Sequence, residues 1–540
     1  MLLMRSFVFV FISFFLFLSA EETDLLPNET ILIPMRDGKE LPTDIYLSKN
    51  NPSQAPCILL RSPGGRHAKS AKAYTFLTQA GYTVVIQDTR SALDKSGKTL
   101  PYWNDGWGIH QDGYDTVQWL ANSKYSNGNI GTIGISALGI TQLLMAPTAP
   151  PALKCQYISM ATGNLYHDAI FPGGQLLKNQ VEGWLGLYAK DPSVKEYVCS
   201  QPHYNDFWSK FNTHKLAHQV KVPAIIYGGW YDTFVQGTID SFMARQYHGG
   251  DGAKGKQKLV IGPWTHFWPA STKLGDFEVP KAGYAPPIDI SPQRWFDYYL
   301  RGTSSGAQTI PAVIYYVMGP FDGSESSGNV WKEANQWPVP AKETPFYLSP
   351  DNHLSLSDTN EEKEIAFHYD PKDPVNTIGG RNLFLESGPK DQQILEKRKD
   401  VVVFTTKPLE EDLEVTGRIK AKLKLHSDQK DTDIVVRLSD VYPDGRSILI
   451  ADGILRTGTL DCSIFDCQKP HEFEVDLWST SIVFAKGHSI RISVTGSNYP
   501  RHEKNCHATH MPEANNKLYV GGKHSFILLP VVPKSTIVNN

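Results

Sequence analysis

Apolar and polar positions follow two textures along this chain, and the change falls near residue 310. Ahead of that point, compact apolar runs alternate with helical stripes. Residues 31–34 and 41–46 flank Asp37-Gly38, a pair that marks a tight hairpin. Residues 56–61, 82–86, 130–135, 153–160, 223–227 and 258–261 read as buried strands, because their apolar positions run on rather than alternate. Helices are predicted between them over residues 74–80, 138–145 and 295–300. Another is predicted over 112–122, where Asp112 is placed to cap, Asp115 falls in the first turn, and Val117, Leu120 and Ala121 make the apolar stripe. Alternation of this kind predicts a parallel, doubly wound sheet with its chemistry at the C-terminal ends of the strands.

The alternation breaks over residues 166–219. Phe171-Pro172-Gly173-Gly174 is followed there by helical stretches rich in Trp184, Tyr188, Phe207, Trp208 and Phe211. An insertion after a central strand predicts a helical cap over the site. From residue 310 onward, short strands are predicted at 313–317, 401–405, 419–425, 433–438, 448–451, 471–475 and 489–494. Turns such as Pro443-Asp444-Gly445 separate them, the signature of an all-β sandwich of jelly-roll type. The chain therefore divides into a leader at 1–20, a doubly wound domain at 21–165 and 220–309, a cap at 166–219 and a β-sandwich at 310–540.

The stretch that carries chemistry is Gly134-Ile135-Ser136-Ala137-Leu138-Gly139, set between an apolar strand and a helical stripe that Pro147 ends. A serine on so sharp a turn needs small neighbours, and the following helix N-terminus favours developing negative charge. The usual spacing is G-x-S-x-G; here the second glycine stands one place later. A serine hydroxyl needs a base, and the base needs a carboxylate to orient it. Asp232 and His266 each follow a resumed strand after Ser136, in the chain order this kind of fold requires. Asp232 could equally cap the next helix, and His266 beside Pro263 and Trp264 could be a core histidine.

Composition narrows the class. A chain of 540 residues with 41% hydrophobic content can bury more than one core, and a net charge of −3 without a long basic run excludes nucleic-acid binding. Arg5, the apolar run at 7–18 and Ser19-Ala20 before Glu21-Glu22 read as a cleaved secretory signal, so the protein is expected to be extracellular. A retained signal anchor is the alternative, because Leu18 is unfavourable three places before the cut. No later stretch is apolar enough for a stable membrane span. Asn28-Glu29-Thr30 is a glycosylation sequon. Cys462 and Cys467 could close a short acidic loop, whereas Cys57 and Cys155 lie in apolar runs and should be buried thiols. His502, Cys506, His507 and His510 do not match a closed zinc pattern, so no metal and no other cofactor is expected.

These pieces resemble the CocE/NonD hydrolases, the cocaine-esterase and X-Pro dipeptidyl-peptidase (S15-type) group of serine hydrolases. The likeness rests on Ile33-Pro34-Met35-Arg36-Asp37-Gly38, Gln87-Asp88-Thr89-Arg90, Asp112-Gly113-Tyr114-Asp115-Thr116 and the Gly134 to Gly139 stretch. It extends through Phe171-Pro172-Gly173-Gly174, Gly229-Trp230-Tyr231-Asp232, Gly262-Pro263-Trp264-Thr265-His266 and Asp440-Val441-Tyr442-Pro443-Asp444-Gly445. The resemblance implies an α/β-hydrolase domain with a helical cap and a C-terminal jelly roll. It implies Ser136 as nucleophile, His266 as base, Asp232 as orienter, the Ala137 N–H as an oxyanion donor, and Phe171 and Phe234 as pocket walls. Arg90 and Asp88 read as a structural ion pair near the site.

Two departures stand out. The resemblance leads one to expect a tyrosine after Pro63 as a second oxyanion donor, and the chain has Gly64-Gly65; a backbone N–H of either glycine is the expected replacement. Ala137 stands where an aromatic is common. The reading is a secreted hydrolase of a small ester or amide substrate, with a homo-oligomer left open. An X-Pro dipeptidyl-peptidase or amino-acid ester hydrolase is the second reading; it needs carboxylates for a substrate amine, of which Asp168 is the nameable candidate. A binding protein using the jelly roll is the third.

Overall fold

A computed structural model describes residues 25–51, 54–459, 469–505 and 513–533. The leader, Cys462, Cys467, Cys506, His507 and His510 lie outside these residues. Strand β1 (Glu29–Pro34) turns at Gly38 into β2 (Glu40–Tyr46), with Pro34 opposite Glu40. Then come β3 (Cys57–Ser62), β4 (Thr83–Asp88), β5 (Ile130–Ile135), β6 (Leu153–Ser159), β7 (Ala224–Tyr231) and β8 (Lys258–Thr265). They join one ten-stranded sheet, in which the run from β4 through β3, β5, β6 and β7 to β8 is parallel.

Period two explains the double burial. Ile58 and Leu60 of β3 face a core shared with Trp295, Phe296 and Leu300, while Cys57 and Leu59 face one shared with Val117 and Leu120. Helix α1 (Asp112–Ala121) thus covers one face of this part of the sheet, and the late helix Pro292–Arg301 the other. Cys57 and Cys155 are buried as free thiols, and Cys57 donates to Tyr125 O at 3.1 Å.

Two expectations are corrected. Val313–Val317, which the sequence places in the sandwich, is strand β9 of the ten-stranded sheet, parallel to β8 with Val313 opposite Leu259; β10 (Val330–Ala334) closes that edge. A short apolar run reads the same in either kind of sheet, so composition does not tell which one Val313–Val317 joins. Asp112 is not a side-chain cap of α1. Its carboxylate is taken by Arg90, at 2.8 Å from Nε and 2.7 Å from Nη2.

Residues 166–219, the expected cap, run between β6 and β7 and are largely helical. Its main helices are α3 (Lys178–Tyr188) and α4 (Pro192–Cys199), the latter capped by Asp191 on Ser193 N at 2.9 Å. Beyond β10 the described residues are β apart from short helical turns such as Gln393–Glu396, with a seven-stranded and a four-stranded sheet. The long strand Leu413–Ser427 alternates buried Ile419, Ala421, Leu423 and Leu425 with lysines, as a sheet with one face in the core must. Helix α5 (Val235–His248) and β7 meet this domain. Arg381 is buried and donates to Trp230 O, Leu477 O and Ser479 O at 2.9–3.1 Å, and Tyr231 OH donates to Leu449 O at 2.9 Å.

Candidate active site

Strand β5 ends at Ile135, and α2 (Ala137–Met145) begins two residues later. Ser136 alone makes the turn, with φ 57° and ψ −123°, a conformation costly for a residue with a Cβ and usual for a serine held at such an elbow. The two glycines each clear a specific contact. A Cβ on Gly134 would lie 2.4 Å from Leu138 Cβ, and one on Gly139 would lie 2.6 Å from Ala161 Cβ. The displaced glycine therefore serves the crossing of α2 over the end of β6, while Leu138 packs into the sheet core.

His266 follows β8. Its Nε2 lies 3.0 Å from Ser136 Oγ, and its Nδ1 lies 2.7 Å from Asp232 Oδ1. Asp232 follows β7 and is fully buried, and the helix after it starts from Phe234, so Asp232 does not cap. With Nδ1–H given to the carboxylate, Nε2 is free to take the hydroxyl proton. The three residues that the sequence singles out separately thus meet at the C-terminal ends of β5, β7 and β8.

The other expected residues divide. The Phe234 ring stands edge-on to His266 at 5.6 Å between centroids. Phe171 lies at the root of the cap, against Tyr166 and Trp208 at 5.4 and 5.9 Å. Gly173, with φ 60°, lets the cap approach the all-β domain: a Cβ there would overlap Ile454 O at 1.8 Å. Ala137 is the first helical residue, so its N–H has no carbonyl within its own helix. The Gly65 N–H donates to Ser62 O at 3.2 Å, which closes a turn and leaves Gly64 as the glycine whose amide is not committed there.

The charges beneath the site are paired differently from the sequence expectation. Arg90 binds Asp112 and Asp37, not Asp88. Asp88 instead holds Arg66, through both its side chain and its backbone N–H. Both partners were legible as charges, but the pairing depends on the loop after β3. Arg61 is buried between Gln87 Oε1 at 2.8 Å and Asp105. Burial pushes the Asp105 carboxyl above its ordinary value, against the pull of Arg61.

Asp168 is buried, and its Oδ2 accepts the Thr162 hydroxyl at 2.7 Å. Burial first, then the neighbouring Asp240, raise its pKa above the carboxylate range, while Thr162 and Arg418 oppose the shift. His502 is buried, and burial pushes its pKa down. Among the described residues no group of three or more His, Cys, Asp or Glu is arranged to hold a metal ion, and no helix is long and apolar enough to cross a membrane. Asn28 is exposed, and its Oδ1 accepts from Leu47 N at 2.8 Å.

Sequence reasoning noted the aromatic residues of α3 but not their place. Trp184 stacks on Tyr102 at 5.5 Å with a 13° interplanar angle, and Tyr188 stands over Gly64. Their wide spacing along the chain hides that juxtaposition.

Comparisons with known proteins agree with this architecture. The family model described as X-Pro dipeptidyl-peptidase (S15 family) matches residues 37–193 and 185–268, and that of the X-Pro dipeptidyl-peptidase C-terminal non-catalytic domain matches 305–529. The chain is 30% identical to cocaine esterase of Rhodococcus sp. (strain MB1 Bresler), over 93% of this chain and 98% of the other. Its fold is that of an aminopeptidase from a marine sediment Thaumarchaeota archaeon, with a TM-score of 0.77, 23% identity, and coverage of 95% of this chain and 98% of that one. An α-amino acid ester hydrolase superposes with a TM-score of 0.74, at 23% identity, over 93% and 96% of the two chains.

Proposed function

The chain belongs to the X-Pro dipeptidyl-peptidase (S15) family of serine hydrolases, the CocE/NonD group, and from that premise we propose that it cleaves carboxylic esters through Ser136, His266 and Asp232. The observation that carries this reading is the spacing of 3.0 Å from Ser136 Oγ to His266 Nε2 and 2.7 Å from His266 Nδ1 to Asp232.

Ser136 Oγ attacks the ester carbonyl carbon as His266 takes its proton. The negative charge that develops on the carbonyl oxygen is met by the Ala137 N–H at the start of α2. The alcohol leaves with the proton from His266, and an acyl-serine remains. Water then attacks the acyl carbon, gives a proton to His266, and releases the acid as Ser136 recovers that proton. No cofactor takes part in these steps. A second donor is expected from the side of the loop after β3, and Phe234 and Phe171 give the pocket apolar walls.

Ester cleavage is favoured over amine-directed peptide or amino-acid ester cleavage by what surrounds Asp232. Thr233, Phe234 and Val235 follow it, all buried and none a carboxylate. The candidate Asp168 is tied to Thr162, and its raised pKa makes it a poor anion for an ammonium group. The Rhodococcus relative is named as an esterase, which points the same way. We also read the protein as exported, from the apolar run at 7–18 and the exposed sequon at Asn28.

The test compares the mature protein with Ser136→Ala on a short-chain aryl ester and on a Gly-Pro arylamide. Ester turnover should fall by up to about 10⁶-fold in the variant. Serine-dependent cleavage of the arylamide in preference to the ester would replace this reading with the peptidase one. Protein recovered from the culture medium should begin at Glu21; a chain retained in the membrane with its leader would contradict export.

A further inference from the structure

An acyl-transfer oxyanion is ordinarily held by two donors, one beside the nucleophile and one from a neighbouring loop. In this molecule the neighbouring loop follows β3, which lies next to β5 in the sheet. That loop has no free side-chain donor: the Gly65 amide is bonded to Ser62 O, the Arg66 amide is bonded to Asp88, and neither glycine has a side chain, so the Gly64 amide is the one uncommitted donor of these three residues.

We propose that the phenol of Tyr188, the last residue of cap helix α3, supplies the second oxyanion donor. The proposal rests on the serine-hydrolase reading of Ser136. A Cβ built on Gly64 would lie 3.5 Å from Tyr188 Cε1, the ring carbon next to the one that bears the hydroxyl. The ring therefore fills the space into which a longer side chain from the loop would extend. Gly64 keeps that space open for a residue arriving from the cap.

The phenol is also uncommitted. Tyr188 is half-buried, and its hydroxyl makes no hydrogen bond among the described residues. Burial raises its pKa, so the proton stays in place to be donated at neutral pH. Its position is fixed from below. The Trp184 ring, one helical turn earlier, lies edge-on to Tyr188 at 6.3 Å and stacks on Tyr102. Tyr102 is itself buried and held at φ 66°. A donor carried by the cap rather than by the sheet links oxyanion stabilisation to the seating of α3. Catalysis would then respond to substrates that prise the cap away.

The experiment uses the full-length protein and an aryl ester. Tyr188→Phe keeps the ring and removes only the donor. It should lower kcat about a hundredfold with KM nearly unchanged, and weaken a serine-directed boronic acid in parallel while the product acid binds as before. In a Tyr188→Ala background, Gly64→Tyr should recover part of the lost kcat, because it returns a phenol to the same space. A Tyr188→Phe protein with the native melting temperature and full kcat would overturn the proposal and leave the Gly64 amide as the donor. Loss of kcat and KM together, with no change in boronic-acid selectivity and no recovery by Gly64→Tyr, would also overturn it, since that is the signature of a structural role. Ser136→Ala in the same assay keeps the two readings apart: turnover that survives it removes the serine mechanism itself.

Discussion

Asp232 meets His266 Nδ1 at 2.7 Å through one carboxylate oxygen, while the other oxygen is buried with no hydrogen-bond partner among the described residues. Nothing else in the described residues shares the work of orienting the carboxylate, so a change at this position acts directly on the imidazole. Asp232→Asn offers an amide that can turn its NH₂ group toward Nδ1, which leaves the ring protonated on the wrong nitrogen. The expected result is a fall in kcat on the order of 10⁴-fold with a modest change in KM, as in other serine triads. Steady-state kinetics on an aryl ester checks this; a variant with near-native kcat would assign the orienting role to another acid.

The second glycine of the elbow gives a stability prediction. Gly139→Ala places a methyl group 2.6 Å from Ala161 Cβ and 3.1 Å from Ser159 O. Overpacking of this kind should cost about 1–3 kcal/mol. Ala161→Gly in the same chain should return part of it, and Leu138→Gly, which rebuilds the commoner spacing, should not. Urea midpoints of the four proteins decide; equal effects of the two second-site changes would refute the contact.

Asp168 makes stability depend on pH in a definite direction. Its pKa is raised in the folded state by burial and by Asp240, so the native protein keeps a proton that the unfolded chain gives up near pH 4. The unfolded state then binds fewer protons, and stability falls as pH rises from about 4 through neutrality. Asp168→Asn can still accept from Thr162 and carries no charge. The melting temperature of the variant should therefore gain on that of the native protein as pH is raised over this window. A difference that stays constant with pH would show that Asp168 is ionised in the fold.

Much of this was legible because local pattern and tertiary role coincided. The buried strands, the elbow at Ser136 and the strand-end positions of Asp232 and His266 follow from apolar runs and chain order alone. What escaped depended on distant partners. Asp112 looks like a cap by position, yet Arg90 claims it from across a long loop. Val313–Val317 looks like a sandwich strand by composition, yet its register with Leu259 places it in the first sheet. Tyr188 carried no signal beyond aromatic content, because its meaning lies in a missing side chain at Gly64, 124 residues earlier.

The buried guanidinium of Arg381 has a further consequence. It grips the carbonyl of Trp230, two residues ahead of Asp232, together with the carbonyls of Leu477 and Ser479 in the all-β domain. The domain whose family model is described as non-catalytic thus acts here as a splint for the strand that leads to Asp232. Cutting the chain between the two halves would strip that splint away and leave the Trp230 carbonyl without its guanidinium.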